Sequence, residues 1–207
     1  MEKNKKTAPL SLVMPVFNEE QTILTAISQV LKHSFINQLV IVNDGSTDKT
    51  AELLSNVTDP RITIINQDKN MGKGAALRTG FQNCLGPYVG VQDADMEYDP
   101  KDLEKLLLPL EKGLADAVYG SRFVSSDAHR VLYFWHSLGN KFLTLLSNMF
   151  TNLNLTDMET CYKVIKKDFL DNIKLKENRF GFEPEITAKL AKSGARIFEV
   201  GISYNGR

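Results

Sequence analysis

Apolar and polar residues alternate in blocks along this chain. Short runs rich in Val, Ile and Leu recur at Leu10 to Val16, Leu39 to Val42, Arg61 to Ile65, Tyr88 to Gln92 and Ala115 to Tyr119. Their length and β-branched content suit buried strands. Helical spacing fills the intervals. Ile23, Ile27, Val30 and Leu31 share one face of a helix capped by Asn18, with Glu19 and Glu20 in its first turn. Asp48 or Ser46 caps a second helix running to about Val57, and a third spans Ala75 to about Cys84. Pro100 opens a fourth, to about Lys112. This strand–turn–helix rhythm predicts an α/β fold, a parallel sheet with helices on both faces.

Past Phe123 the rhythm changes. Ser125 to His129 reads as a polar loop, and Arg130 stands beside the aromatics of Tyr133-Phe-Trp135. Asn140 to Phe150 is amphipathic, either a helix packed on the core or a surface for lipid or a partner helix. A strand follows at Thr160 to Ile165, then a short helix from Lys167. A helix over Glu183 to Lys192 and a strand over Arg196 to Tyr204 complete the pattern.

Charge narrows the partners. Lys plus Arg equals Asp plus Glu at 25 each, so no global field draws the chain to nucleic acid. Cys84 and Cys161 are far apart and form no CxxC pair, which argues against zinc and suits a reducing cytoplasm. No signal-peptide core follows the charged start, and no run approaches the roughly 18 apolar residues of a membrane span.

The candidate chemistry gathers where strands end. In parallel sheets, ligands bind beyond the carboxyl ends of the strands. The polar stretches Phe17-Asn-Glu19, Asn43 to Asp48, Asn70 to Gly74, Asp93 to Asp99 and Gly120-Ser-Arg122 follow strands or open helices at that edge. Asp93, Asp95 and Glu97 alternate along an extended segment and so crowd like charges onto one side. A hard divalent ion such as Mg²⁺ or Mn²⁺, sharing its shell with a substrate diphosphate, would relieve that crowding. Gly72-Lys-Gly74 ahead of a helix suits phosphate, yet it is neither a Walker loop nor a complete dinucleotide fingerprint. No Gly-x-Ser-x-Gly elbow is present, and His33, His129 and His136 lack metal-ligand spacing.

Taken together, Val13-Met-Pro-Val-Phe-Asn-Glu-Glu20, Val42-Asn-Asp-Gly-Ser-Thr-Asp48, Asn70-Met-Gly-Lys-Gly-Ala-Ala76 and Gln92-Asp-Ala-Asp95 resemble the inverting glycosyltransferases of family 2, with the GT-A fold. Within these the chain is most similar to the dolichyl-phosphate mannose synthase and polyprenyl-phosphate glycosyltransferase branch. The resemblance implies a three-layer α/β/α sandwich on a mostly parallel sheet. It implies one domain over 1–207, with a nucleotide-binding part at about 8–122 and an acceptor-side part at about 123–207. The chain ends just past a strand-like stretch, as a chain truncated at its C-terminus would.

The same resemblance assigns roles. Pro15, Phe17, Asn18 and Glu19 line a nucleotide pocket, Asp44 lies near the base or ribose, and Lys73 lies near the phosphates. Asp93, Asp95 and Glu97 are the metal ligands, Asp95 the principal one, for Mg²⁺ or Mn²⁺. Arg122 and Arg130 hold the acceptor's phosphate, with Asp157 and Lys163 also on the acceptor side. The catalytic set is then Asp95, Arg122 and Arg130. The implied reaction moves a hexose from a UDP- or GDP-sugar to a lipid phosphate. It places the chain in the cytoplasm, peripherally at a membrane face or on a membrane partner protein.

Three departures and three rivals accompany this expectation. Asn43 stands where Asp is common, Thr160 to Lys163 differs from the synthases' Ser-Gly-Phe-Arg type, and no transmembrane hairpin follows. One rival keeps the fold but glycosylates a saccharide or protein hydroxyl, with Asp157 or Glu159 as base. The others are a sugar nucleotidyltransferase and a non-catalytic nucleotide-sugar-binding module.

Overall fold

Seven strands form one sheet in the order β3-β2-β1-β4-β6-β5-β7 in a computed structural model that describes residues 10–124, 131 and 133–206. The strands are β1 (Leu10–Val16), β2 (Ile36–Asn43), β3 (Ile62–Asn66), β4 (Tyr88–Val91), β5 (Ala117–Ser121), β6 (Lys163–Lys166) and β7 (Ile197–Gly201). Every pairing is parallel except those of β6, which runs antiparallel between β4 and β5. The α/β expectation with a mostly parallel sheet therefore holds. Its exception is the strand inserted from the second half of the chain.

The core sits on β1 and β2, where Leu10, Leu12, Val13, Met14 and Leu39 to Val42 are all fully buried. A strand covered on both faces needs continuous apolar sequence, and these have it. Ser11 is the polar interruption in β1. Its hydroxyl donates to Gln38 Oε1 (2.8 Å) and accepts from Gly86 N (2.9 Å), so its burial leaves nothing unpaired.

Among the described residues seven α-helices alternate with these strands: α1 (Ile23–Leu31), α2 (Thr50–Ser55), α3 (Lys73–Gln82), α4 (Leu103–Glu111), α5 (Phe134–Thr151), α6 (Lys167–Asp171) and α7 (Phe182–Lys192). α3 lies tightly on β1, and a Cβ on Gly80 would fall 2.2 Å from Val13 Cγ1. Only hydrogen fits there, so the bare α-carbon sets how close α3 and the Lys73 at its start come to the sheet.

Several boundaries differ from expectation. Asn18 does not cap α1. Its backbone is left-handed (φ 55°), and its side chain accepts from Thr47 N (2.8 Å), stitching the turn after β1 to the turn after β2. The first helix therefore starts only at Ile23, whose N–H bonds Glu19 O. At α2 it is Asp48, not Ser46, that accepts from Thr50 N (2.9 Å). Pro100 opens a 3₁₀ turn, with Asp99 accepting from Lys101 N, before α4 begins. The amphipathic stretch is longer than Asn140 to Phe150, because the aromatics from Phe134 onward are already helical.

Candidate active site

A cleft of about 510 Å³ opens at the carboxyl ends of β1, β2 and β4. Pro15, Phe17, Glu19, Asp44, Gly72, Lys73, Asp93 and Asp95 line it, as expected, and Arg179 and Phe180 complete its rim. Asn18 is not part of the lining, because its side chain serves the turn described above.

Asp44, almost fully buried, builds one wall. One carboxylate oxygen accepts from Met71 N (2.8 Å) and the other from Gly72 N (2.7 Å), so the loop before α3 is held by a side chain at the end of β2. Gly72 makes this turn possible. Its φ is 99°, and a Cβ would meet Asn178 O at 2.4 Å. The loop places Lys73 at the start of α3, its ammonium 3.1 Å from Asp93 Oδ2 and 3.4 Å from Glu183 Oε1. Burial opposes that charge, but the carboxylates of Asp93 and Glu183 outweigh it and hold the ammonium's pKa well above normal.

Asp95 occupies a different environment. Burial first, then the charges of Asp93 and Glu97, raise its pKa to about 6, against the hydrogen bond from Glu97 N. This is the electrostatic mark of a place where positive charge fits. Glu97 turns elsewhere and accepts from Tyr204 Oη at 2.7 Å. Among the described residues no three His, Cys, Asp or Glu side chains assemble into a complete metal cage. Of the three acids expected to face a metal, Asp93 and Asp95 line the cleft, while Glu97 bonds the Tyr204 hydroxyl. A pair of carboxylates suits Mg²⁺ or Mn²⁺ only where phosphate oxygens and water complete the shell.

Beneath the acidic stretch, Tyr98 stacks on Tyr162 (4.8 Å between centroids) and meets Tyr204 edge-on (5.1 Å). Tyr162 Oη donates to Gln92 Oε1 at 2.6 Å. These rings tie the end of β4 to β6 and to the last residues of the chain. The inserted strand therefore braces the carboxylate loop.

The residues expected on an acceptor side separate into distinct environments. Arg122 follows β5, and Asp157 takes it in a fork. Nε reaches Oδ2 and Nη2 reaches Oδ1, both at 2.7 Å, and the Arg122 backbone N–H adds a third bond at 3.0 Å. Asp157 is fully buried, and the Tyr204 ring lies 5.2 Å from the guanidinium. Both members expected to face an acceptor are thus joined to each other, and Asp157 is in no position to act as a base. Glu159 is half-buried, and desolvation raises its pKa.

Lys163 requires a correction. It is almost wholly inside, donating to the Met158 and Thr160 carbonyls beneath the Tyr119 ring, because the antiparallel register of β6 points it into the core. Burial lowers its pKa despite neighbouring acids. Arg130 falls outside the described residues.

Sequence reasoning missed three residues. Glu183 appeared only as a helix start, yet it shares Lys73 with Asp93. Arg179 and Phe180 rim the cleft because α3 holds their loop: Ala75 N donates to Asn178 O (3.1 Å) and Arg78 Nη1 to Glu177 O (2.6 Å). A pairing almost a hundred positions apart leaves no local trace. The one available signal was the acid pair at the start of Phe182-Glu-Pro-Glu185.

Residues 11–174 match the model of the family described as "Glycosyl transferase family 2". The chain belongs to this family. It is 33% identical over 214 residues to a "Dolichyl-phosphate beta-glucosyltransferase ALG5A" of Trichomonas vaginalis, covering 95% of this chain and 65% of that protein. It is 27% identical to a "Dodecaprenyl-phosphate galacturonate synthase" of Rhizobium johnstonii, covering 96% of this chain and 59% of the relative. The chain thus spans about two thirds or less of the length of these relatives. Among solved structures, glucosyl-3-phosphoglycerate synthase from Mycobacterium tuberculosis, in complex with Mn²⁺, UDP and phosphoglyceric acid, superposes with a TM-score of 0.74. That match covers 97% of this chain and 72% of the other at 18% identity. The likeness establishes the shared fold, and with it the GT-A expectation.

Proposed function

We propose that this chain transfers a hexose, with inversion, from a nucleoside-diphosphate sugar to a polyprenyl phosphate. One observation carries the reading. One cleft at the strand ends joins a carboxylate pair and a lysine on a loop that Asp44 holds in place, and the fifth strand ends in a buried arginine–carboxylate fork. Relatives named for dolichyl- and dodecaprenyl-phosphate chemistry support the acceptor class.

The donor's diphosphate would lie between Lys73, Asp93 and Asp95. Lys73 would trade a carboxylate partner for a phosphate oxygen, and Asp95 with Asp93 would hold Mg²⁺ or Mn²⁺. The metal, when bound, supplies positive charge to the departing diphosphate. Phe17 and Pro15 would flank the nucleotide, while Asp44 shapes its pocket through the loop. An acceptor phosphate, largely dianionic at neutral pH, needs no base to remove a proton. Its oxygen would form the new bond to the anomeric carbon from the face opposite the breaking bond to the donor's phosphate. Arg122, oriented by Asp157, and Arg130 would orient that phosphate. The acceptor's lipid would bring the chain to the cytoplasmic face of a membrane, directly or through a membrane partner.

Calorimetric titration of UDP and GDP, with and without Mn²⁺, tests the donor side. We expect metal-dependent binding of one of them, lost in Asp95→Asn. Transfer from that donor to a polyprenyl phosphate but not to hydroxyl acceptors is the matching result for the acceptor. Transfer to hydroxyl acceptors alone would refute it.

A further inference from the structure

We propose that α5 docks the protein on a lipid bilayer surface through the side that faces away from the fold. α5 is amphipathic the wrong way round. The side chains it buries are Thr144 and Ser147, both small and polar. Phe134, Leu138, Phe142, Leu145 and Met149, spaced by three or four residues, form an exposed stripe, and Trp135, 75% exposed, widens it at one end. Burial within this chain thus gives no reason for the hydrophobic face, and a continuous apolar patch on a surface marks an interface.

Three observations select lipid as the occupant. Charge comes first. No Asp or Glu occurs from 128 to 156 in a chain that carries 25 of them, while Lys141 lies within α5. A surface cleared of negative charge beside a cation complements an anionic membrane.

Size comes second. The stripe is about 23 Å long and about 10 Å wide, on the order of 230 Å², against the roughly 800 Å² per partner of a stable protein interface. A bilayer accepts a single helix face; a second copy of this chain would need more.

Position comes third. Lys141 Nζ lies 5.8 Å from the centre of the Phe123 ring, and Arg122 precedes Phe123 in the chain. The stripe therefore borders the acceptor side of the site. In this respect the proposal rests on the reading of the acceptor as a lipid phosphate, and it names the surface from which that lipid is taken.

Trp135 is the chain's single tryptophan, so its fluorescence reports the contact directly. The probes are vesicles of phosphatidylcholine with and without phosphatidylglycerol. We expect a blue shift on adding vesicles, stronger with the anionic lipid, and quenching by brominated phosphatidylcholine. Phe142→Ser, Leu145→Ser and Met149→Ser together should weaken vesicle binding by about tenfold or more per side chain. Their circular dichroism and nucleotide affinity should be unchanged, and Phe142→Leu should retain binding. The absence of any vesicle-induced shift overturns the proposal. So does a shift that grows with protein concentration without lipid and accompanies a dimer in sedimentation.

A water-soluble short-chain polyprenyl phosphate separates the two claims. Vesicle binding without transfer to it refutes the acceptor reading and leaves the surface standing. Transfer without vesicle binding does the reverse.

Discussion

Two regions at the strand ends, the cleft around Lys73 and the turn after β5, each set a cation against a carboxylate, and they do so differently. In the cleft Lys73 is shared loosely between Asp93 and Glu183, at 3.1 and 3.4 Å, from a partly exposed position. After β5 Arg122 is clamped at 2.7 Å through two nitrogens by a carboxylate that never meets solvent. A point charge on a flexible stem can exchange partners at little cost, whereas a planar fork held at both prongs cannot. The Lys73 contact is therefore built to change partners. The Arg122 fork is built to keep its geometry.

Asp157→Ala should break this contrast most severely. It strands a buried guanidinium, and a loss of about 3–5 kcal/mol should appear in urea denaturation. A loss below 1 kcal/mol would show that the fork is as exchangeable as the lysine. Next comes Asp95→Asn, which should cost metal-dependent nucleotide affinity about a hundredfold or more in calorimetry. Folding should survive, since a crowded charge has been removed. Lys73→Met should weaken nucleotide binding about tenfold and cost about 1–3 kcal/mol in urea denaturation, because it leaves the buried Glu183 carboxylate without its cation.

A smaller effect belongs to the other end of β5. Asp116 accepts from Arg196 Nε (2.8 Å), Arg196 Nη2 (2.9 Å) and Lys166 Nζ (2.8 Å), and the Arg196 bonds chiefly hold its carboxyl well below the usual range. A depressed carboxylate contributes stability fully above its unfolded value, about 3.9, and loses it as pH falls through the folded value. Asp116→Asn should thus be destabilised by about 1–2 kcal/mol at pH 7. The difference from wild type should shrink as the pH drops below about 4, as measured by denaturation across pH.

Glu159→Gln should change transfer to a polyprenyl phosphate by less than about twofold, since a dianionic nucleophile needs no base. A sharp loss with donor binding intact would favour a hydroxyl acceptor instead.

The sheet, its parallel majority and the donor cleft were legible because local patterns encode them. Short, β-branched apolar runs between turn residues suit strands of a covered sheet, and each run stops at polar residues that lie at its carboxyl edge. Phe17, Glu19, Asp44, Lys73, Asp93 and Asp95 therefore shared one edge by pattern alone, and Pro15 joined them through the family resemblance.

The second half of the chain was opaque for an equally physical reason. The strand at Thr160 to Ile165 was visible, but its place between β4 and β5, running against both, is a choice among sheet edges that no local pattern records. That choice turned Lys163 into the core and lent Tyr162 to the acidic loop. It also made Arg122 and Asp157, 35 positions apart, a single unit.

Sequence alone determined which residues could carry charge at the strand ends. Only the tertiary structure decided which of those charges neutralise each other and which remain for a substrate. Pairing depends on distances of about 3 Å between segments far apart in the chain, and periodicity reports burial along a segment but not the partner across it.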